Sequence, residues 1–186
     1  MSTRLALSLR LEAIGREQAP VLENLFELYC YDFSEHVPLD LKPSGRFEIP
    51  VSEAWWTHDD HFPFLIREGI NLVGFALARQ GSRVSAATNV MDVAEFFVVR
   101  GARARGLGTQ AAHALFTRFP QAWEIRVRVS NVPAQTFWSR VVEEWLGEAV
   151  EPRPFTHEGV AWNVLSIPAR LETSCRSSIA ENLPSG

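Results

Sequence analysis

The residues best suited to chemistry in this chain are two arginines and two glycines that follow an apolar run. Residues 93–99 are typical of a buried strand, and Arg103, Arg105, Gly106 and Gly108 come soon after it. Glycine lets the backbone approach a phosphate closely, and the first N–H groups of a helix have no intrahelical partner. With the helix dipole and the guanidinium charges, these N–H groups bind anions. A strand, a basic loop and a helix in this order predict a pocket for a pyrophosphate.

The spacing of these residues distinguishes them from two common nucleotide-binding patterns. Neither G-x-G-x-x-G nor G-x-x-x-x-G-K-[ST] occurs, whereas R-x-x-G-x-G runs from Arg103 to Gly108. This pattern resembles the acetyl-coenzyme A signature of the GNAT superfamily of N-acetyltransferases. Residues 131–138 resemble the family's next motif, N-x-x-A-x-x-F-[YF], which opens a helix under the coenzyme. The resemblance extends over residues 3–168, and its motifs lie within residues 93–140.

Hydrophobic periodicity predicts seven strands and three longer helices. The predicted strands are residues 5–12, 62–67, 71–79, 92–100, 123–129, 149–156 and 160–167, and the helices are 17–33, 107–119 and 133–147, with a helical turn at 52–56. The resemblance implies an α/β (α+β) fold: a GNAT-like mixed, mostly antiparallel sheet of six to seven strands, flanked by helices and splayed between the fourth and fifth strands. We expect one acetyltransferase domain over residues 1–168 and a flexible tail over residues 169–186.

Composition narrows the possible partners and compartments. A net charge of −4 argues against a nucleic-acid partner, and no apolar run approaches the ~20 residues of a membrane span. Two separate cysteines and no signal-peptide core favour the cytoplasm over an oxidising compartment. The chain is expected to be a monomer or a homodimer, since exposed strand edges near its C-terminus could pair two copies.

The resemblance implies acetyl transfer from acetyl-CoA, as co-substrate, to an amine without a metal. Strand backbone groups would bind the pantetheine arm and polarise the thioester carbonyl, and the amides of residues 104–109 would hold the pyrophosphate. The implied coenzyme-binding residues are Phe97, Val98, Val99, Arg103, Ala104, Arg105, Gly106, Leu107, Gly108, Thr109, Asn131 and Phe137. A solvated basic turn is the alternative for residues 103–108, and Asn131 also suits a helix cap.

Two residues are candidates for catalysis. Glu95 lies on the signature strand near the splay and suits a general base, although a salt bridge is the plainer role. The family often has a tyrosine after the motif phenylalanine, but Trp138 occupies that position, and indole cannot act as an acid at neutral pH. The thiolate would then take its proton from water or from another residue. Tyr31 and Tyr29 are the only tyrosines in the chain and either could supply it, and Tyr31 is the predicted catalytic residue. Weaker candidates for the base are Asp32, Glu35 and Glu53.

Aromatic and acidic residues stand where the family binds its acceptor. Tyr31, Asp32, Phe33, Trp55 and Trp56 would suit an amine cation, and a helix end with core tryptophans is the alternative.

Two further groups favour structural explanations. Residues 58–61 (HDDH) contain metal-ligand types, but so tight a run favours a solvated loop, and no metal is expected. Cys30 has no obvious histidine partner in the sequence and suits a buried, inert thiol.

The sequence therefore predicts an acyltransferase that moves an acetyl group from acetyl-CoA to a primary amine of a small molecule or peptide. Direct attack in a ternary complex is expected, because no nucleophile for an acetyl-enzyme stands out. A non-catalytic coenzyme A-binding sensor or partner module is the alternative, which Trp138 keeps open. A phosphate-binding domain unrelated to coenzyme A is disfavoured by the two motifs in family order.

Overall fold

A computed structural model describes residues 8–170 and places them in a seven-stranded sheet with helices on both faces. The strands are β1 Leu9–Ala13, β2 His61–Glu68, β3 Asn71–Gln80, β4 Val90–Val98, β5 Ala122–Arg128, β6 Arg153–His157 and β7 Val160–Ile167. The helices are α1 Ala19–Phe33, α2 Ala54–Thr57, α3 Leu107–Arg118 and α4 Val132–Leu146, with single 3₁₀ turns at Arg16–Gln18 and Arg100–Ala102.

The strand order is β1-β2-β3-β4-β5-β7-β6, and β4 and β5 are the parallel pair among otherwise antiparallel neighbours. This parallel pairing is short, because it joins only residues 90–93 of β4 to residues 122–125 of β5. Beyond Val93 the two strands separate. The mixed sheet and its splay between the fourth and fifth strands are thus confirmed.

Each face of the sheet carries its own apolar core. Helices α3 and α4 cover one face, where Leu115, Trp123 and Val141 are almost fully buried. Helix α1 covers the other face, where Leu22 packs with Phe75 of β3. Apolar packing on both faces of the sheet therefore fixes the C-terminal end of α1 and the N-terminal ends of α3 and α4, where the candidate site residues lie.

The predicted elements differ from the observed ones mainly at their ends. Strand β1 begins at Leu9, and part of the alternating run that predicted it lies outside the described residues, as does most of the predicted tail. Strand β6 begins at Arg153 rather than residue 149, because Pro152 has no N–H to donate to a ladder. The predicted helix start near residue 17 is a 3₁₀ turn, and α1 follows with Pro20 in its first turn.

Gly74 of β3 allows β3 and β4 to approach closely beside the splay. A β-bulge shifts the pairing of β2 with β3 next to this residue. A Cβ atom on Gly74 would collide with the carbonyl oxygen of Phe97 and lie 3.0 Å from its carbonyl carbon. Both atoms belong to the backbone of β4, so neither can move without distorting the strand.

We expect Gly74→Ala to lower the free energy of unfolding by at least about 2 kcal/mol, because the added methyl displaces paired backbone. Gly101→Ala is the matched control, since Gly101 is exposed and a Cβ there meets no atom within 4 Å. Urea denaturation of both variants measures the difference. Equal stability of the two variants would contradict this account of β3 and β4.

Candidate active site

The separation of β4 and β5 leaves two adjoining cavities. The large cavity, of about 590 Å³, lies between β4, the start of α3 and one side of α4. The small cavity, of about 240 Å³, lies between the separated strands and is closed by the end of α1. Both are lined by Tyr29, Phe33, Phe96, Asn131, Ala134 and Trp138. The two cavities therefore share a wall of mainly aromatic side chains.

The N-terminus of α3 supplies unpaired amides to the large cavity. Gly106 is the N-cap residue at φ +76°, a left-handed conformation that glycine adopts without strain. Gln110 N–H donates to the Gly106 carbonyl at 3.1 Å, so the preceding amides of the first turn have no intrahelical acceptor. A Cβ on Gly108 would lie 3.0 Å from the Phe137 ring, so this glycine lets α4 pack against the turn. Gly106 is therefore needed for its backbone conformation, and Gly108 is needed for the close approach of Phe137.

The two motif arginines have different partners. Arg103 lines the large cavity, donates from Nε to the Val98 carbonyl at 2.8 Å, and forms an ion pair with Asp32. Arg105 pairs instead with Glu68 at the end of β2 and does not line the cavity. Of the two guanidinium groups expected beside a pyrophosphate, only that of Arg103 is brought to the large cavity.

The backbone of β4 presents one amide of the predicted three to the splay. Val99 N–H donates to the Val73 carbonyl at 2.9 Å, which turns Val99 toward β3. Since backbone groups alternate along a strand, Phe97 also faces β3 and Val98 faces the open side. Because Arg103 binds the Val98 carbonyl, the N–H of Val98 is the group left for a ligand.

The twelve residues predicted to bind the coenzyme divide into two groups. Those that line the large cavity are Phe97, Val98, Arg103, Ala104, Gly106, Gly108, Thr109, Asn131 and Phe137. Val99, Arg105 and Leu107 do not line it, and the Leu107 side chain is buried in the core. Asn131 caps α4, since its Oδ1 accepts from Ala134 N–H at 3.1 Å, and it lines both cavities. The predicted cap is thus observed, and the predicted coenzyme contact stays a prediction with which this position is compatible.

Glu95 and Tyr29 form a hydrogen-bonded pair in the small cavity. The Tyr29 hydroxyl donates to Glu95 Oε2 at 2.5 Å. Burial raises the pKa of the Glu95 carboxyl, although the Tyr29 hydrogen bond acts in the opposite direction. Burial also raises the pKa of Tyr29, and the neighbouring Glu95 charge and hydrogen bond add to that effect. The pair therefore consists of a hydroxyl that stays protonated and a carboxylate with unusual affinity for a proton.

Tyr31, predicted as the acid, lies outside both cavities. It is 64% exposed, whereas Tyr29 is turned toward the sheet, because two residues along a helix span more than half a turn. Asp32 and Phe33 do line the large cavity, but Asp32 is already paired with Arg103 and Arg100.

Trp55 and Trp56, predicted to bind the acceptor, pack against the core under α1 and line neither cavity. Glu35 lines the large cavity, and Glu53 is an exposed partner of Arg16. Both tryptophans therefore occupy core positions, as the alternative to acceptor binding predicted.

The family model for the acetyltransferase (GNAT) family matches residues 22–142. The chain belongs to this family. The expected N-acetyltransferase with acetyl-CoA as co-substrate is thereby confirmed. The amides of α3 and the cradle opened by Gly108 suit the anionic and extended parts of such a molecule.

Several solved structures share the fold of this acetyltransferase. An acetyltransferase from Thermus thermophilus is 19% identical over 87% of this chain and 99% of that chain, with a TM-score of 0.63. The aminoglycoside acetyltransferase AAC(6')-Ib, solved with coenzyme A and kanamycin, is 12% identical over 87% and 95%, with a TM-score of 0.64. YncA from Salmonella typhimurium, solved with acetyl-CoA, is 10% identical over 89% and 96%, with a TM-score of 0.58. No curated protein sequence matches the chain.

Two features of the described residues lie outside the cavities. His58, Asp60 and His61 bring possible ligand atoms within 4.8 Å of one another, with Asp60 Oδ1 2.7 Å from His61 Nδ1. This hydrogen bond lowers the pKa of Asp60. Cys30 is buried and its pKa is raised to about 11, mainly by burial, which is consistent with an inert thiol.

Within residues 8–170, no helix is long and apolar enough to cross a membrane.

Three residues that line the small cavity were not predicted from the sequence: Arg126, Arg128 and Trp162. Arg126 and Arg128 alternate with buried Ile125 and Val127 along β5. Two arginines on the same side of an otherwise apolar strand were the available signal, because such charges need a partner or a ligand.

We expect Glu95→Gln to raise the melting temperature of this acetyltransferase at about pH 8. A carboxyl whose pKa is higher folded than unfolded stabilises the fold below its unfolded pKa, and this stabilisation is lost as pH rises through the folded pKa. Glutamine keeps an acceptor for Tyr29 and avoids the buried charge. The gain should therefore vanish at about pH 4, near the ordinary glutamate pKa.

Thermal unfolding between these pH values measures the gain, with Glu143→Gln as the control because Glu143 is exposed. A gain for Glu95→Gln that does not change with pH would contradict the raised pKa.

Proposed function

We propose that this acetyltransferase moves the acetyl group of acetyl-CoA to a primary amine of a small molecule or peptide, by direct attack in a ternary complex. The observation that supports this most strongly is the contiguity of the two cavities. One is lined by the anion-binding start of α3, and the other by a carboxylate with raised proton affinity. A co-substrate and an acceptor can therefore meet at the shared wall.

In this proposal the large cavity binds the coenzyme. The amides at the start of α3 receive the pyrophosphate, and Arg103 adds positive charge that Asp32 partly neutralises. The N–H of Val98 faces the splay and donates to the pantetheine arm or to the thioester oxygen. Arg140 of α4 also lines this cavity and is a further cation for the coenzyme phosphates.

The small cavity would hold the acceptor amine beside Glu95. Glu95 takes one proton from the ammonium group, and the free amine nitrogen attacks the thioester carbonyl carbon. The carbon–sulfur bond then breaks, an amide forms, and the sulfur leaves as a thiolate that takes up the proton the nitrogen releases. Tyr29 holds the Glu95 carboxylate through its hydrogen bond and stays protonated because its pKa is raised.

Trp138 supports keeping the non-catalytic sensor as a second candidate function. It is 6% exposed, lines both cavities, and packs edge-on against Phe96 with ring centroids 5.1 Å apart. Its indole cannot protonate the thiolate, so the proton that the nitrogen releases must reach the sulfur through water or through the Glu95–Tyr29 pair. Coenzyme binding without transfer to any amine would favour the sensor.

Three narrower expectations stay predictions. The structural neighbours include an aminoglycoside acetyltransferase and a ribosomal-protein-S18-alanine N-acetyltransferase, so the choice between a small-molecule and a peptide amine is not made by them. The cytoplasmic location rests on features of the sequence, above all on its two separate cysteines. The choice between monomer and homodimer rests on the sheet edge that β6 forms.

We expect Gly106→Val to weaken acetyl-CoA binding by roughly tenfold or more, because the side chain would strain the N-cap and block amides that bind a charged group. Isothermal titration calorimetry measures the dissociation constant.

Gly147→Val is the matched control for this test. Gly147 has φ +79° at the end of α4, a Cβ there meets no atom within 4 Å, and it does not line the large cavity. Both variants carry the same backbone strain, so only Gly106→Val should lose affinity. Equal affinities for the two folded variants would remove the start of α3 from the coenzyme site.

We expect Glu95→Gln to lower kcat for amine acetylation by about 10²–10⁴-fold, the usual effect of a general base. The acetyl-CoA dissociation constant should hardly change, because the glutamate does not line the large cavity. Steady-state release of free coenzyme A, followed across pH, provides the measurement.

The wild-type rate should fall at low pH with an apparent pKa above the ordinary glutamate value, and this limb should be absent in the variant. Glu143→Gln serves as the control and should keep the wild-type profile. An unchanged kcat in Glu95→Gln would exclude Glu95 as the base.

A further inference from the structure

A cation that pairs with no carboxylate of residues 8–170 lies in the wall of the small cavity. Arg128 of β5 and Trp162 of β7 are register partners, and the Arg128 guanidinium lies 5.0 Å from the centroid of the indole. On α1, the Phe33 ring centroid lies 5.8 Å from the same guanidinium. Two aromatic rings thus hold the Arg128 side chain against the cavity.

Arg126, two residues before Arg128 on the same strand, has a carboxylate partner, whereas Arg128 has none among the described residues. Arg126 donates to both carboxylate oxygens of Asp92, at 3.2 and 3.1 Å, and Asp92 also pairs with Arg79. Within residues 8–170, Arg128 forms no ion pair with any carboxylate, and its buried Nε has no acceptor. Its charge is therefore not neutralised by the described part of the chain.

A second donor beside it is also without an acceptor. The buried Nε1–H of Trp162 forms no hydrogen bond with the described residues. Aromatic faces attract a cation but accept N–H groups poorly, and a buried donor left unpaired is costly. Two such donors on adjacent strands, in the wall of one cavity, point to a bound group with anionic oxygen atoms.

We propose that the acceptor is an amine that also carries a carboxylate, as a free amino acid does. This inference rests on the proposed acetyl transfer and specifies its substrate class. Arg128 binds the carboxylate, in the bidentate manner that guanidinium groups favour, with Trp162 as an additional donor. The amine of the same molecule then lies at Glu95, which lines the same 240 Å³ cavity.

The charges in this cavity also discriminate among amines. Arg128 repels a polycationic acceptor, and its positive charge favours the neutral form of a bound amine, which is the form that attacks. A peptide N-terminus presents an uncharged amide where a free amino acid presents its carboxylate. The proposal therefore favours free amino acids over amino-acid amides, peptides and polyamines.

The test compares two mixtures with identical side chains, proteinogenic L-amino acids and the corresponding L-amino-acid amides. The initial rate of free coenzyme A release from acetyl-CoA, divided by the enzyme concentration and the total amine concentration, gives an apparent kcat/KM for each mixture. Calorimetry with the coenzyme A-saturated protein gives binding independently of turnover. Acetyl-CoA binding to the wild type and each variant is measured in parallel.

We expect the wild type to favour the amino-acid mixture. Arg128→Gln should lower kcat/KM for that mixture by roughly ten- to a hundredfold and leave the amides unaffected. Arg128→Lys should restore part of the preference by restoring the charge. Trp162→Phe keeps an aromatic face, loses the N–H, and should give a smaller loss in the same direction. It serves as the second probe if Arg128→Gln fails to fold.

Three results would overturn the proposal. One is a wild type that acetylates the amides as well as the amino acids. Another is an acid-to-amide ratio that Arg128→Gln and Trp162→Phe leave unchanged. The third is an amino-acid mixture that neither binds nor accepts acetyl groups while the amides are acetylated. A wild type that fails to bind acetyl-CoA, or that binds it and acetylates neither mixture, would instead overturn the proposed function, and this inference with it.

Discussion

The early separation of β4 from β5 is the constraint on which the rest of the site depends. Their parallel pairing stops at Val93 and Ile125, so the following backbone of β4 is paired with β3 on one side and has no strand on the side of β5. Asp92 lies one residue before the last pair, fully buried between Arg79 and Arg126, so this ion-pair network borders the point of separation. Every group proposed to contact a substrate lies at the opening that follows.

The opening persists because side chains from both faces of the sheet fill its margins. Phe137 and Trp138 of α4 pack on Phe96, with ring centroids 5.9 and 5.1 Å apart. From the other face, α1 contributes Tyr29 and Phe33, which line both cavities. Closing the gap would expel these rings from apolar surroundings, so the packing of three elements maintains the space for two substrates.

Local sequence signals predicted the fold well. Strand and helix periods, the prolines at the starts of α1 and α4, and the Gly147 cap depend on residues close together in the chain. The glycine motif before α3 was equally local, and Gly106 has the left-handed conformation that such a turn requires. Pairing order and the splay came from the family resemblance, because periodicity does not specify which strands are neighbours.

The sequence by itself determined the family, the elements and the coenzyme motif, since each depends on short-range spacing. Only the tertiary structure decided which side chains meet. It turned Tyr29 rather than Tyr31 toward Glu95, because helix α1 exposes one face and packs the other. It also brought Arg128 to Trp162 across two strands that are distant in the chain. Charge partners and cavity walls are set by long-range pairing, which no local pattern encodes.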